Sequence, residues 1–302
     1  MLKMPKPPPS AQQTNSQETD TQENGSPGEA AREPTDGEFW VGLARAFAGA
    51  VLFSISLMMT MEMWWLGFYM DRARLALFTG VNVLLLVGLA RYRGFRKNVT
   101  WLDSVIDAFV GYAVGVITGV VVLALIGQIS RGMSADEIIG KVALQAIAGS
   151  IGALLARGQL GGSTDGDTPP PGANYGAELF LTVAGALLLA FTLAPTEEMI
   201  VIGYSVTSWH AILMVLISLM IMHTFVYMVD FHGQEQVDPD TSFWSLFLRY
   251  TVVGYVCVFL TSLYILWTFG RAEGTTLPPL TMTAVVLSLP GALGAAAARL
   301  IL

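Results

Sequence analysis

Long apolar stretches alternate with short polar ones along most of the chain. Eight of them are long enough to cross a hydrocarbon core of about 30 Å, which takes about 20 helical residues. They occupy residues 40–63, 73–91, 103–129, 136–157, 177–197, 208–229, 243–269 and 278–300. Runs this long and continuous lack the alternating pattern of an outer-membrane strand. The pattern therefore predicts an all-α protein, a polytopic transmembrane helical bundle of eight helices.

The second half of the chain resembles the first half. Residues 43–67 align with residues 179–203 without a gap, and the aligned pairs include Gly49 with Gly185, Thr60 with Thr196, Glu62 with Glu198 and Gly67 with Gly203. With four helices in each unit, a unit ends on the side of the membrane where it began. We therefore predict a tandem 4+4 repeat of the parallel kind, with its axis along the membrane normal. The first four-helix repeat covers residues 39–157 and the second covers residues 176–302.

Two polar regions lie outside these repeats. Residues 1–38 are rich in Pro, Gln, Thr, Ser and Glu and have almost nothing apolar after Met4, so they cannot bury enough surface to fold. We predict a disordered cytoplasmic tail there, and a flexible cytoplasmic linker over residues 158–175, which are rich in Gly and Pro. The tail lacks the apolar middle region of a signal peptide, so the first apolar segment is expected to be a retained helix.

Composition supports the membrane class and argues against several functions. Hydrophobic residues make up 53% of the chain and charged residues only 13%, as in polytopic membrane proteins. The single cysteine, Cys257, leaves no disulfide framework. The sequence contains no nucleophile motif, phosphate loop or zinc-protease motif, so we do not expect an enzyme. A nucleic-acid partner is also not expected, because the one basic cluster adjoins a membrane segment.

The distribution of Lys and Arg predicts the orientation. The side that carries both termini holds nine of these residues, namely Lys3, Lys6, Arg32, Arg91, Arg93, Arg96, Lys97, Arg157 and Arg299. The other side holds Arg72, Arg74, Arg131, Lys141 and Arg271. The positive-inside rule then predicts a multi-pass protein of the bacterial inner (plasma) membrane with both termini in the cytoplasm. The basic run 91–97 could also attract anionic lipid headgroups.

Two Thr-x-Glu-Met motifs are the best candidates for chemistry. Thr60 and Glu62 belong to the first motif, and Thr196, Glu197 and Glu198 to the second. Each is predicted near the outer end of the first helix of its repeat, and each is followed by more apolar sequence. An ionised carboxylate at membrane depth is costly, so it usually faces the bundle interior and pairs with a cation or binds a proton. We predict a shared site for a hard cation or a proton, with the identity of any metal open. The alternative is that both glutamates only mark the membrane edge.

A second acidic pair, Asp103 and Asp107, is spaced i, i+4 and shares one helix face. Arg249 lies at the matching depth in the seventh predicted helix, so a structural salt bridge is the favoured interpretation. An inner gate formed by these three residues is the alternative.

The histidines suggest a different function. His210 and His223 are 13 residues apart on one predicted helix, about 20 Å at the helical rise, a spacing that lets one helix hold two haems. Each haem would need a second axial ligand that the sequence does not clearly supply. We predict no cofactor other than a bound cation, and haem remains the less favoured reading.

The eight segments in two halves, with residues 194–198 (Ala-Pro-Thr-Glu-Glu) closing the fifth, resemble a family of bacterial integral membrane proteins of unknown function. The resemblance covers about residues 39–302 and implies a membrane location without implying an activity.

The sequence therefore predicts a channel or transporter for a small cation such as H⁺, Na⁺ or Ca²⁺, with paired intramembrane glutamates at the repeat interface. A non-transporting scaffold or lipid-interacting subunit is the main alternative, and a haem-binding redox subunit is the other. The expected partners are the lipid bilayer and a small inorganic cation, and assembly as a homo-oligomer is left open.

Overall fold

A computed structural model describes residues 36–93, 100–160, 175–228 and 243–301. All regular structure in these ranges is helical. The first part of the chain forms α1 (Asp36–Met58), α2 (Met61–Tyr69), α3 (Arg72–Arg93), α4 (Trp101–Leu125) and α5 (Ala135–Leu160). The second part forms α6 (Tyr175–Leu193), α7 (Glu197–Ser205), α8 (Ser208–Met228), α9 (Phe243–Leu246), a π-helical turn (Phe247–Val252), α10 (Val253–Thr268) and α11 (Leu277–Ile301). Residues 1–35 of the predicted tail and 161–174 of the predicted linker lie outside the described residues.

Seven of the eight predicted membrane-crossing helices are present. Seven helices of the described ranges are long and apolar enough to cross a membrane, with α9, the π-helical turn and α10 counted as one span. An eighth span results if α7 and α8, which meet at a bend of 116°, are taken together. The all-helical class and the membrane-spanning character predicted from the sequence are thus confirmed.

The first and fifth predicted segments, 40–63 and 177–197, extend past the ends of the helices in the structure. α1 ends at Met58 and α6 ends at Leu193, and a short separate helix follows each of them. At both breaks a threonine takes up an extended backbone conformation, with φ −92° and ψ 121° at Thr60 and φ −70° and ψ 145° at Thr196. The apolar residues continue through both breaks, so hydropathy alone does not reveal the turns.

The break after α1 is held by two side chains that hydrogen-bond to backbone carbonyls at the end of the helix. The Thr60 hydroxyl donates to the Ser56 carbonyl at 2.7 Å, and the Trp64 indole N–H donates to the Met58 carbonyl at 2.6 Å. Carbonyls at a helix end have no partner within the helix, and in lipid they cannot turn to water. These two hydrogen bonds therefore give the Ser56 and Met58 carbonyls partners at the point where the helix ends.

The last helix of each half is its central helix. α5 packs against α1, α2, α3 and α4, and α11 packs against α6, α7, α8 and α10. The membrane-crossing part of α5 is 83% buried, compared with 61% for α11 and 39–44% for the other spans. The polar side chains of Lys141, Gln145 and Ser150 on α5 accordingly lie inside the protein.

Close helix contacts are made at glycines. A Cβ atom at Gly49 on α1 would overlap the Gly152 carbonyl and the Ala156 side chain on α5. In the second half, a Cβ atom at Gly185 on α6 would overlap the Gly294 carbonyl on α11. Small residues at these positions let the two backbones touch, which is the usual way in which helices associate in lipid.

One aromatic cluster joins the two halves. The Phe78 ring on α3 lies 5.4 Å from the Phe191 ring on α6 and 5.9 Å from the Phe269 ring at the end of α10, measured between centroids. All three side chains are buried. The halves therefore share a core.

At one end of the bundle, ion pairs and hydrogen bonds link the ends of helices to the segments that connect them. Arg72 at the start of α3 bonds Asp136 at the start of α5 at 2.6 Å. Arg271, which follows α10, donates to the Pro195 carbonyl in the break between α6 and α7. We call this the α2 end; it carries α2, α7 and the α4–α5 and α10–α11 connections.

Arg74 on α3 ties the first half to the second half at the α2 end. It donates to the Trp267 carbonyl at 3.0 Å, pairs with Glu273 at 2.5 Å, and stacks 4.9 Å from the centre of the Trp267 ring. Replacing Arg74 with Leu should lower the free energy of unfolding by about 2 kcal/mol, because a charged hydrogen bond to a carbonyl is lost together with the pair. Thermal denaturation in detergent measures this, with Arg131→Leu, at an exposed position, as the control. An equal effect of both substitutions would contradict the prediction.

Candidate functional site

The predicted glutamates lie on the two short helices at the α2 end. Glu62 is in the first turn of α2 and is partly buried, and Glu197 and Glu198 are in the first turn of α7 and exposed. The prediction placed them near the outer ends of the first and fifth membrane helices, whereas the structure places them on separate short helices that follow. A carboxylate in the first turn of a helix interacts favourably with the helix dipole, so these positions suit ionised carboxylates.

The structure does not gather these residues into a metal site. The described ranges contain no group of three or more His, Cys, Asp or Glu side chains that could hold a metal ion, so the three glutamates do not form one together. The hydroxyls of Thr60 and Thr196 donate to the carbonyls of Ser56 and Leu193. A cation site shared by Glu62 and Glu198 stays a prediction.

Asp103 has a local structural role. Its carboxylate accepts hydrogen bonds from the Thr100 backbone N–H at 3.1 Å and from the Thr100 hydroxyl at 2.7 Å, while its own N–H donates to that hydroxyl oxygen at 3.3 Å. This is a capping box at the start of α4. Asp107, one turn later, is 5% exposed and faces the bundle interior.

Arg249 lies in the π-helical turn. Its guanidinium stacks 4.5 Å from the centre of the Tyr175 ring and 5.4 Å from that of Tyr250, and the Tyr175 hydroxyl donates to its carbonyl at 2.8 Å. This turn is thereby attached to the start of α6. An inner gate of Asp103, Asp107 and Arg249 stays a prediction.

Both helical histidines bind threonine hydroxyls. His210 Nδ1 is 2.7 Å from Thr207 Oγ1, and His223 Nδ1 is 3.0 Å from Thr251 Oγ1. His223 also packs against Phe243 and Phe247, each with its ring centre 5.2 Å away. One ring nitrogen of each imidazole therefore has a protein partner, and haem ligation stays an untested alternative.

A set of buried polar residues on α3, α4 and α5 was not recognised from the sequence. It begins with Lys141, which was counted above among the basic residues of the side opposite the termini and which lies on α5, where it is 6% exposed. Its Nζ is 2.9 Å from a carboxylate oxygen of Glu137, one turn earlier, and 3.4 Å from the Gln128 carbonyl. An ionisable residue inside a membrane bundle is expensive and is by default a functional candidate.

Gln145 follows one turn after Lys141 on the same face of α5. It is 1% exposed, and neither its amide nitrogen nor its amide oxygen has a hydrogen-bond partner within the described part of the chain. Thr118 on α4 is also buried, and its hydroxyl is likewise unpartnered there. Its neighbour Gly119 faces Gln145, since a Cβ at Gly119 would lie 3.4 Å from the Gln145 Cβ.

A third polar contact links α3 to α5. The Asn82 side-chain amide donates to the Ser150 hydroxyl at 3.0 Å, and that hydroxyl donates to the Ile147 carbonyl at 2.9 Å. The Asn82 side-chain oxygen is buried and has no partner among the described residues. The buried residues Asn82, Thr118, Lys141, Gln145 and Ser150, together with Glu137, the partly buried partner of Lys141, are called the buried polar ladder below.

The ladder extends over much of the membrane thickness. At a rise of 1.5 Å per residue, Glu137, Lys141, Gln145 and Ser150 lie about 3, 9, 15 and 22 Å from the start of α5. Asp107 lies near the opposite end, about 9 Å from the start of α4. Buried polar side chains of the first half therefore occur at several depths between the α2 end and the other end.

A sequence signal for the ladder existed. Glu137, Lys141 and Gln145 are spaced four residues apart and so share one face of an otherwise apolar helix. In this part of the chain Gly149 aligns with Gly291 and Gly152 with Gly294. The second-half positions aligned with Glu137, Lys141 and Gln145 are then Pro279, Thr283 and Leu287, which carry no charge. The ladder thus belongs to the first half. Aligning the two halves reveals only residues that they share, so it does not reveal the ladder.

Exposed aromatic side chains stand at both ends of the membrane-length helices. Trp40, Trp101 and Trp244 lie at the starts of α1, α4 and α9, and Trp65, Tyr204 and Trp209 lie at the α2 end. Such belts are typical of the two membrane–water interfaces. Together with seven or eight membrane-length helices, they define a multi-pass helical membrane protein.

The family confirms this class. Residues 42–302 match the family model described as "Putative integral membrane protein (DUF2391)", and the chain belongs to that family. The resemblance noted in the sequence is thereby confirmed. No curated protein and no solved structure matches the chain.

Proposed function

We propose that this protein moves a small cation across a membrane, and that the buried polar ladder of the first half forms part of the path. The observation that carries the proposal is Gln145, which is buried at the middle of the most buried helix, with both amide atoms unpartnered among the described residues. The proton is the simplest cation that such a path could carry.

The cost of burying an amide supports this function. A polar group placed in an apolar environment without a hydrogen bond costs about 2–7 kcal/mol, and the large majority of buried polar side-chain atoms in proteins have a partner. Water molecules or an ion would supply the partners that Gln145, Thr118 and Asn82 lack among the described residues. Oxygen atoms of this kind suit a proton carried by water or a hard cation.

Charged groups flank the proposed path. Lys141 and Glu137 form a pair at the α2 end, and Asp107 lies towards the other end. A buried ion pair can open when a proton or cation replaces one partner, which makes Lys141 and Glu137 candidates for a gate. Glu62, on α2 at the same end, would then lie near the mouth of the path, which keeps a role for one predicted glutamate.

The tandem 4+4 repeat is part of the proposal. Three parallels support it: the short helices α2 and α7 follow the first helix of each half, Gly49 and Gly185 each touch a glycine on the central helix, and the central helix is the last one in both halves. The charge distribution supports a bacterial inner-membrane location with both termini cytoplasmic. In that orientation the Lys141 end of the ladder faces away from the cytoplasm.

The test is flux from proteoliposomes loaded with H⁺, Na⁺, K⁺ or Ca²⁺ gradients. Gln145→Leu places in the first half the residue found at the aligned position of the second half, so packing should survive while the polar contact is lost. We expect at least a tenfold loss of flux. Ser288→Ala serves as the control, because Ser288 is buried on α11 but has hydrogen bonds to Ala284 and Ser262.

A Glu62→Gln/Glu198→Gln variant separates this path from the paired-glutamate site predicted from the sequence. If that variant lost flux while Gln145→Leu kept full flux, the cation path would be assigned to the glutamate pair and not to the ladder. Absence of selective flux from the unmodified protein would reject transport and favour the scaffold or lipid-interacting function.

A further inference from the structure

A cavity of 210 Å³ opens in the second half at the α2 end. It lies between α7, the α10–α11 connection and the first two turns of α11, and its lining includes Ile200, Tyr204, Arg271, Glu273, Thr275 and Thr283. The volume is well above the about 30 Å³ that one water occupies in the liquid, so the cavity can accept a larger group.

Arg271 gives the cavity an unneutralised positive charge. One terminal nitrogen donates to the Pro195 carbonyl, and the Nε atom is buried without a hydrogen-bond partner in the described ranges. No carboxylate within those ranges forms an ion pair with Arg271. Glu273, two residues later, also lines the cavity but pairs with Arg74 at 2.5 Å.

The first half shows why this charge is unusual. There, Gly67 of α2 packs against Lys141, and a Cβ at Gly67 would lie 2.6 Å from the Lys141 Cα. Lys141 fills the space beneath α2 and is neutralised by Glu137. In the second half, Gly203 of α7 packs in the same way against Thr283, with 2.9 Å from a Cβ at Gly203 to the Thr283 Cα.

The second half therefore has a short side chain where the first half has a lysine, and Pro279 where the first half has the neutralising glutamate. The shorter Thr283 leaves open space, and Arg271 supplies a cation from the neighbouring connection. Arg271 therefore lies beside a cavity without a neutralising carboxylate among the described residues, an arrangement suited to binding an anion from solution or from lipid.

We propose that the Arg271 cavity binds a phosphate group. The guanidinium provides planar donors that fit phosphate oxygens, and the positive end of the 25-residue helix α11 begins at Leu277 beside the cavity. The exposed Tyr204 hydroxyl adds a polar group at the rim. Tyr204 and Trp209 place the cavity at the depth of lipid headgroups, so the phosphate comes either from an anionic phospholipid or from free phosphate. The site does not depend on the proposed cation path.

Thermal denaturation of the purified full-length protein in a neutral detergent tests the site. Short-chain phosphatidylglycerol and inorganic phosphate are titrated separately, with Arg271→Gln as the test variant. Arg131→Gln is the matched control, because Arg131 lies exposed in the corresponding α4–α5 connection. We expect short-chain phosphatidylglycerol to raise the Tm of the unmodified protein and of the control by several degrees and to leave Arg271→Gln unchanged.

A second variant covers the case in which Arg271→Gln does not fold. Thr283→Met keeps Arg271 and its bond to Pro195 but fills the cavity with an unbranched chain, as Lys141 does in the first half. It should also lose the Tm shift. A shift produced by inorganic phosphate as well assigns the site to free phosphate, and a shift with phosphatidylglycerol alone assigns it to lipid. No shift in the unmodified protein, or equal shifts in all variants, would overturn the proposal.

Discussion

Gly185→Ala is expected to lower the free energy of unfolding by about 3 kcal/mol or more. A Cβ at Gly185 would overlap the Gly294 carbonyl and would lie 2.6 Å from the Ala298 Cβ on α11. Backbone atoms cannot move aside by changing rotamer, so α6 and α11 must separate along their contact. Overpacking typically costs about 1–3 kcal/mol, and a backbone contact falls at the upper end. Unfolding in SDS followed by circular dichroism measures the change.

Gly80→Ala is the matched control for this prediction. Gly80 lies on the exposed face of α3, and a Cβ there would have no atom within 4 Å. Alanine has a higher helix propensity than glycine by about 1 kcal/mol, so this variant should be unchanged or slightly more stable. If Gly185→Ala behaved like Gly80→Ala, the close packing of α6 on α11 would be wrong.

Glu137→Gln is expected to cost about 3 kcal/mol of stability. It removes the carboxylate that neutralises Lys141, whose side chain is 7% exposed, and so leaves a buried cation without its partner. Breaking a buried pair from one side costs about 3–5 kcal/mol, and the lower figure applies because Glu137 is 20% exposed. The Tm in detergent is the measurement.

Two further variants identify the cause. Asp136→Asn removes the neighbouring acid, whose pair with Arg72 is exposed on both sides, and should cost less than about 1 kcal/mol. Glu137→Gln/Lys141→Met removes both charges and should recover most of the lost stability, since replacing a buried pair by apolar groups is often neutral. Failure of the double variant to recover would show that Glu137 acts through something other than Lys141.

Some local features were within reach of sequence reasoning. The Thr100-x-x-Asp103 spacing before an apolar run is a helix-capping signal, and the structure shows that capping box. The i, i+4, i+8 spacing of Glu137, Lys141 and Gln145 marks one polar face on an apolar helix. Lys141 was missed because it lies near the start of α5 and was used only as a basic residue of that side in predicting the orientation.

Other features depend on contacts between distant parts of the chain. Asn82 and Ser150 are 68 residues apart, and Arg271 reaches a carbonyl 76 residues earlier. The turns at Thr60 and Thr196 depend on hydrogen bonds to the preceding helix and on packing beneath α2 and α7. Hydropathy does not reveal these contacts, because an apolar residue can face either lipid or a neighbouring helix.

The sequence by itself determined the membrane class, the number of apolar segments and the likeness of the two halves, because the cost of exposing backbone polar groups to lipid forces long apolar runs into helices. The tertiary structure decided which helices are central, which polar residues are buried and which charge lacks a partner. Those properties depend on which helix faces touch, and in a membrane that choice is made by close packing at residues such as Gly49 and Gly185 rather than by hydrophobicity.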